Sequence, residues 1–253
     1  MSSLLPRLVE ALDLLAASHS GLSVTELAEK LHTSKSTSSR LLASLVESGL
    51  VERDKALRHF LDIRFWTWGV QAARRLPVLD IARPHLASVV KEWSNPASIA
   101  VVRGDQTIYL ECLTPSNGDA MFNILSYAVP AYACAPGKAI LAFSSDETKE
   151  AILSCPLKKF TPQTLATREE LSRELETVRC QGYAINRGEY YDNVSFAAAV
   201  PILDHAGLAV AAVSFYGLQD EESLQRLIPP LVEIGEVISA SLGYGKAVRD
   251  VVG

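Results

Sequence analysis

Over the first fifty residues the apolar positions recur at helical spacing. Leu5, Leu8, Leu12 and Leu15 follow one another every three or four residues, predicting an amphipathic helix that ends near Ser18, with Gly21 breaking the pattern. VTELAEKL (24–31) predicts a second, short helix with Leu27, Ala28 and Leu31 inward, where the small Ala28 lets a neighbouring helix approach. SKSTSSRLLASLVESGL (34–50) predicts a third, capped by Thr33 or Ser34 and ended by Gly49, with Leu41, Leu42, Leu45 and Val46 on its apolar side. Only two or three residues separate the second helix from the third, which is helix-turn-helix spacing. LVERD (50–54) and HFLDI (59–63), joined by a turn, predict a β-hairpin, so the segment reads as a winged helix.

The third helix begins with an unusual run. Ser34, Lys35, Ser36, Thr37, Ser38, Ser39 and Arg40 are all polar, and no acid follows until Glu47. Hydroxyls can bond phosphates or base edges, Lys and Arg can reach phosphate or guanine, and the helix N-terminus itself favours an anion. The hairpin adds Arg53, Lys55, Arg58 and His59 for a neighbouring phosphate strand. Ser34, Lys35, Ser36, Thr37, Ser39, Arg40, Arg58 and His59 are the predicted DNA contacts. A solvated serine-rich helix start, or a winged helix used for protein contacts, is the alternative.

Residues 64–76 predict a linker helix, with Trp66 and Trp68 packing where the wing meets it. A further amphipathic helix follows over about 78–94. Beyond it the period changes from 3.6 to runs rich in β-branched residues. Strands are predicted at 98–103, 107–113, 122–127, 183–187, 197–203 and 208–216. Intervening helices are predicted at about 137–144, 146–155 and 168–181. Capping boxes are expected at Ser144 with Glu147 and at Thr167 with Glu170. A closing helix over 221–242 contains Pro229-Pro230 and is expected to break there. The fold class is α+β.

Composition changes this picture in one respect. The 253 residues are 48% hydrophobic and 21% charged, which excludes disorder, and the formal charge of −5 argues by itself against nucleic acid. The charge is uneven. Residues 1–76 hold ten basic and eight acidic groups, and residues 77–253 hold fourteen and twenty-one. A weakly basic module thus precedes a larger acidic one.

Cys112, Cys134, Cys155 and Cys180 form no C-x-x-C pair or zinc spacing, so reduced, buried thiols are expected and no metal or cofactor. Charges at Arg7, Glu10 and Asp13 argue against a signal peptide. Apolar runs such as 196–203 are too short to span a bilayer, so a cytoplasmic protein without membrane contact is expected. APGKA lacks the first glycine and the Ser/Thr of a phosphate loop, and no hydrolase elbow, zinc-protease or dinucleotide motif occurs; no enzyme is expected.

SVTELAEKLHTSKSTSSRLLASLVESGLVERD resembles the DNA-binding domain of the IclR family of bacterial transcription regulators. GDQTIYLEC (104–112), APGKAILA (135–142), FTPQTLAT (160–167), 170–190 and 199–217 continue the resemblance through the family's effector-binding domain. It implies a winged helix-turn-helix over 1–64, a linker helix over 65–77 and a GAF-like sensor with a curved antiparallel sheet over 78–253. It also implies a double-stranded operator, a small organic acid effector, a linker that transmits the sensor's state, and self-association to dimers or tetramers.

In relatives that respond to small oxo-acids the effector contacts backbone at the segment matching Ala135-Pro136, beside Cys134. It also contacts an Asp matching Asn186, a Cys at Phe196 or Ala197, and two serines matching Ser214 and Tyr216. Only Ser214 is retained here. These departures imply an aromatic or larger carboxylic acid rather than glyoxylate. Arg187 or helix N–H groups are the expected anion partners, and Met121, Phe122, Leu125 and Tyr127 an apolar wall. A thiol-based redox sensor through a low-pKa Cys134 is a further alternative.

Overall fold

The computed structural model describes residues 4–115, 128–190 and 196–245. They belong to two compact units, 1–75 and 76–253. The predicted strand at 122–127 and the apolar wall from Met121 to Tyr127 lie outside the described residues.

In the first unit, helices α1 (Leu4–Ala16), α2 (Val24–Lys30) and α3 (Lys35–Glu47) precede an antiparallel hairpin of β1 (Val51–Arg53) and β2 (His59–Leu61), then α4 (Arg64–Ala73). Their apolar stripes meet in one core of Ala11, Leu15, Leu22, Leu27, Leu31, Leu42, Leu45 and Val51. Each buried leucine contributes about 1.5–3 kcal/mol. Ser23 starts α2 with a capping box: its hydroxyl accepts from Glu26 N–H, and the Glu26 carboxylate accepts from Ser23 N–H at 2.7 Å. Ser34, not Thr33, caps α3. Thr33 instead bonds the buried Ser38 hydroxyl at 2.8 Å.

The linker expectation needs correction. Trp66 is 71% exposed and Trp68 52% exposed, and α4 buries none of its residues. Trp68 meets Phe65 edge-on within the same helix rather than the wing.

The second unit opens with α5 (Pro77–Trp93), with Pro77 in its first turn, where a missing N–H costs nothing. Strands β3 (Ala97–Arg103), β4 (Gln106–Leu113), β5 (Val129–Pro130), β6 (Ala184–Arg187), β7 (Phe196–Leu203) and β8 (Ala209–Leu218) form one antiparallel sheet in the order β5-β4-β3-β8-β7-β6. Helix α6 (Ala135–Ala142) lies on one face with all eight residues buried. Helices α7 (Asp146–Leu153) and α8 (Arg168–Gln181) follow it. The start of α6 is tied to both sides of the sheet: the Cys134 thiol bonds Thr107 on β4, and the Asn186 amide on β6 donates to Ala133 O. The sheet therefore curls around α6.

Helix α9 (Glu221–Ser241) covers the opposite face. It is continuous through Pro229 and Pro230, contrary to the expected break. Leu224, Leu227, Ile228, Leu231, Ile234 and Ile238 carry one unbroken buried stripe across it. Pro229 is exposed and Pro230 half-buried, so the carbonyls freed by the prolines lie toward solvent. Thr167 and Glu170 form the predicted capping box of α8. The other box is displaced by one residue: Ser145 caps α7, while the Ser144 hydroxyl returns to Ile140 O.

Candidate DNA interface and effector pocket

Helix α3 sorts its polar run by helical period. Ser38 turns into the core, whereas Ser34, Lys35, Ser36, Ser39 and Arg40 are exposed and Thr37 is half-buried. Ser34 Oγ is already engaged, accepting Thr37 N–H at 3.2 Å and lying 2.8 Å from Thr37 Oγ1 and 3.0 Å from Ser36 Oγ. Lys35, Ser36, Ser39 and Arg40 form an outward strip that no acid interrupts.

Two predicted wing contacts are engaged inside the unit. His59 is 4% exposed, and its Nδ1–H donates to Leu22 O at 3.1 Å, beside the bridge between Leu22 and His59. Arg58 folds back onto the loop before α2. Its Nε donates to Ser20 O at 2.6 Å, its Nη2 donates to Gly21 O at 2.8 Å, and it pairs with Glu26 at 3.1 Å. Both side chains close the hairpin onto the helices, which hydrophobic periodicity does not reveal. Arg53 and Lys55 on the same hairpin are exposed.

In the sensor unit, strand alternation decides which predicted residues share a face. Ala199 and Ala212 pack with α6, so Ser214 and Tyr216 lie on the α6 side of β8. Asn186 pairs in register with Ala197, and its amide reaches Ala133, which puts both on the same side. Cys134, Ala135 and Pro136 are buried at the start of α6.

Arg187 and Phe196 form the adjacent register pair and so face the other way. Arg187 is bound to Glu221 at 3.0 Å, on the face away from Asn186. The helix expected over about 137–144 starts two residues earlier: α6 begins at Ala135 after Cys134, with no side-chain cap.

Sequence reasoning missed several residues on this face. Ser98 on β3 lies opposite Ser214, their hydroxyls 2.6 Å apart and both buried. Cys112 on β4 pairs with Ser98, and burial pushes its thiol up to about 12. The Tyr216 hydroxyl is buried beside that thiol and is raised by burial and by Cys112. The available signal was Ser98, the one polar position ahead of Arg103 in an otherwise apolar strand.

Cys134 lies opposite to the redox reading. Burial pushes its thiol up, outweighing the hydroxyl of Thr107 and the N–H of Gly137. Cys112 and Cys134 are buried free thiols as expected, whereas Cys155 and Cys180 are exposed.

The least expected residue is Lys138. It is 1% exposed inside α6, with Nζ 2.8 Å from Glu174 of α8 and 2.7 Å from Glu189. Burial raises the Glu189 carboxyl while Lys138 pulls it the other way. Among the described residues no group of His, Cys, Asp and Glu could hold a metal ion, and no helix is long and apolar enough to cross a membrane.

Comparison with known proteins places this architecture. Residues 5–55 match the model of the IclR helix-turn-helix domain, and residues 70–240 match that of the bacterial transcriptional regulator IclR C-terminal domain. The transcriptional regulator BhcR of Paracoccus denitrificans is 30% identical over 220 residues, covering 84% of this chain and 76% of that protein. KdgR of Escherichia coli is 28% identical over 234 residues, covering 87% and 86%. The crystal structure of Thermotoga maritima IclR superposes with a TM-score of 0.69 at 32% identity, covering 95% of this chain and 98% of that one. An IclR homolog from Microbacterium hydrocarbonoxydans, complexed with 4-hydroxybenzoate, superposes with a TM-score of 0.76 at 25% identity, covering 95% and 99%. The family consists of transcription regulators and not enzymes, and the helix-turn-helix unit followed by a curled antiparallel sheet makes this chain a member of the IclR family of bacterial transcription regulators.

Proposed function

We propose that this chain represses or activates transcription in the bacterial cytoplasm by binding a palindromic operator as a dimer or tetramer, under control of an aromatic or larger carboxylic acid. The observation that carries the DNA-binding part is the exposed, acid-free strip of Lys35, Ser36, Ser39 and Arg40 on α3. Such a helix enters a major groove with its N-terminal half, and the wing then lays Arg53 and Lys55, rather than Arg58 and His59, along the backbone. The exposed Trp66 and Trp68 on α4, with Leu5 and Val9 on α1, supply apolar surface for a second copy.

For the effector, the α6 side of the sheet combines the neutral hydrogen-bonding groups of Ser98, Ser214, Tyr216 and Cys112 with Ala197 and Asn186 at one edge. The amide of Ala135, at the uncapped start of α6, is the anion partner. Replacement of small polar groups by Tyr216 and Ala197 favours a larger, less polar ligand, in keeping with the 4-hydroxybenzoate bound by one relative.

Operator titration across salt concentrations tests the first part. Lys35→Ala and Arg40→Ala each weaken binding about tenfold and lower the salt slope by about one, while leaving effector binding unchanged. Calorimetry with 4-hydroxybenzoate and glyoxylate tests the second. Tight glyoxylate binding with none for aromatic acids refutes it.

A further inference from the structure

Helix α6 is apolar at every position except Lys138, and that one departure is completely buried. A hydrophobic side chain would fill the space at no greater cost than a desolvated ammonium between two carboxylates. Local rules broken in this way mark positions kept for something other than stability. Lys138 reaches two different elements. Glu174 lies on α8 and is partly exposed, whereas Glu189 is 6% exposed in the turn that follows β6.

That turn carries the edge of the effector pocket. Asn186 Oδ1 accepts from Gly188 N–H at 3.0 Å and from Glu189 N–H at 3.4 Å, while its Nδ2 donates to Ala133 O at 3.0 Å, just before α6. Thr161 and Thr164 hold the turn from outside, donating to Gly188 O at 2.7 Å and Glu189 O at 2.6 Å. The turn is thus tied down twice, through Asn186 by a neutral bond to the segment just before α6 and at Glu189 by an ion pair to α6 itself. The second carboxylate oxygen of Glu189 is buried with no hydrogen-bond partner among the described residues, so the pair with Lys138 bears most of this group's desolvation.

We propose that Lys138 and Glu189 are positioning residues of the effector pocket: their ion pair clamps the 186–190 turn, and with it the Asn186 side chain, onto the start of α6 in the geometry that receives the effector. The proposal rests on the reading of this face as the effector pocket. Neither residue touches the ligand; the charge on α6 sets where the β6 edge stands.

The test uses the full chain and separates the two carboxylates. Glu189→Gln keeps the shape and removes the charge that clamps the turn. Glu174→Gln removes a charge from the same lysine without touching the turn. In ligand-free protein, backbone amide exchange at 186–190 accelerates about tenfold or more in Glu189→Gln and less than about twofold in Glu174→Gln. The dissociation constant for 4-hydroxybenzoate rises in the same pattern.

Unchanged exchange in Glu189→Gln, or equal acceleration in both variants, overturns the proposal, because a merely stabilising charge cluster responds to either loss. If Glu189→Gln does not fold, Glu189→Asp, which shortens the side chain, replaces it with the same expectation. Absence of 4-hydroxybenzoate binding to the unmodified chain, with exchange behaving as expected, refutes that ligand reading and leaves the clamp standing.

Discussion

Replacing Arg58 by alanine separates a structural arginine from a DNA-contacting one. The substitution removes two charge-assisted bonds, to Ser20 O at 2.6 Å and Gly21 O at 2.8 Å, together with the pairing to Glu26. Bonds to charged groups contribute about 1.5–3 kcal/mol each when well shielded. The Arg58 side chain is 31% exposed, and Gly21 O keeps the Ser18 hydroxyl as a second donor at 2.8 Å. Taking about 1 kcal/mol for each lost bond gives about 2 kcal/mol for the first unit. Tenfold corresponds to about 1.4 kcal/mol, so backbone amides of α2 and α3 that exchange through unfolding of this unit do so about thirtyfold faster. Hydrogen exchange on the full chain reads this directly. Arg40→Ala, whose side chain is exposed, leaves the same amides unchanged and weakens operator binding instead. An Arg58→Ala protein with unaltered exchange and a tenfold loss of operator affinity refutes the reasoning and returns Arg58 to the DNA interface.

Three other outcomes follow from particular groups. The Ser23 N–H, the Ser23 hydroxyl and Arg58, in that order, lower the Glu26 carboxyl from 4.5 to about 2. Since its folded value lies below its unfolded one, the stabilisation is present above about pH 4.5 and is lost as pH falls toward 2. A pH series of the same amides shows this, and Glu26→Gln flattens it; an unchanged profile in that variant contradicts the assignment. Iodoacetamide at neutral pH modifies the exposed Cys155 and Cys180 in native protein, while Cys112 and Cys134 react only after denaturation. Four thiols reacting at one rate would show that burial does not protect them. Gly137→Ala places a methyl group against Ala131 O and 2.6 Å from Thr107 Oγ1, costing about 3 kcal/mol in urea denaturation; a neutral substitution means that the start of α6 can shift.

Much of the first unit is legible because its signals are local. Helical periodicity, a Ser cap, a Gly stop and an alternating hairpin each act within a few residues, and they specify α1 to α3 and the wing with small errors at the ends. The polar run on α3 is equally plain. What local pattern does not carry is the partner of each polar group. Arg58 and His59 sit on a hairpin that looks positioned for phosphate, and only the loop before α2, some 37 residues earlier, shows that both side chains are hydrogen-bonded inside the unit.

The sensor unit divides in the same way. The sequence pattern gives β3, β4, β6, β7 and β8, though not β5, and alternation puts Ser214 and Tyr216 on one face. It does not decide between Phe196 and Ala197, because a one-residue shift in strand register reverses every side chain. The observed pairing of Asn186 with Ala197 puts these two on one side of the sheet and turns Arg187 to the other, toward Glu221.

The residues of this protein therefore determine by themselves most of the segments that are helix or strand, where its charge divides, and which family it belongs to, since these follow from short-range spacing. The tertiary structure alone decides that Lys138 is a buried, ion-paired side chain and not a surface cation, that Cys134 is a shielded thiol, and that Ser98 and Cys112 join Ser214 and Tyr216 on one face of the sheet. Each of these depends on a strand or turn distant in the chain, and burial, charge pairing and hydrogen-bond satisfaction exist only once those elements have met.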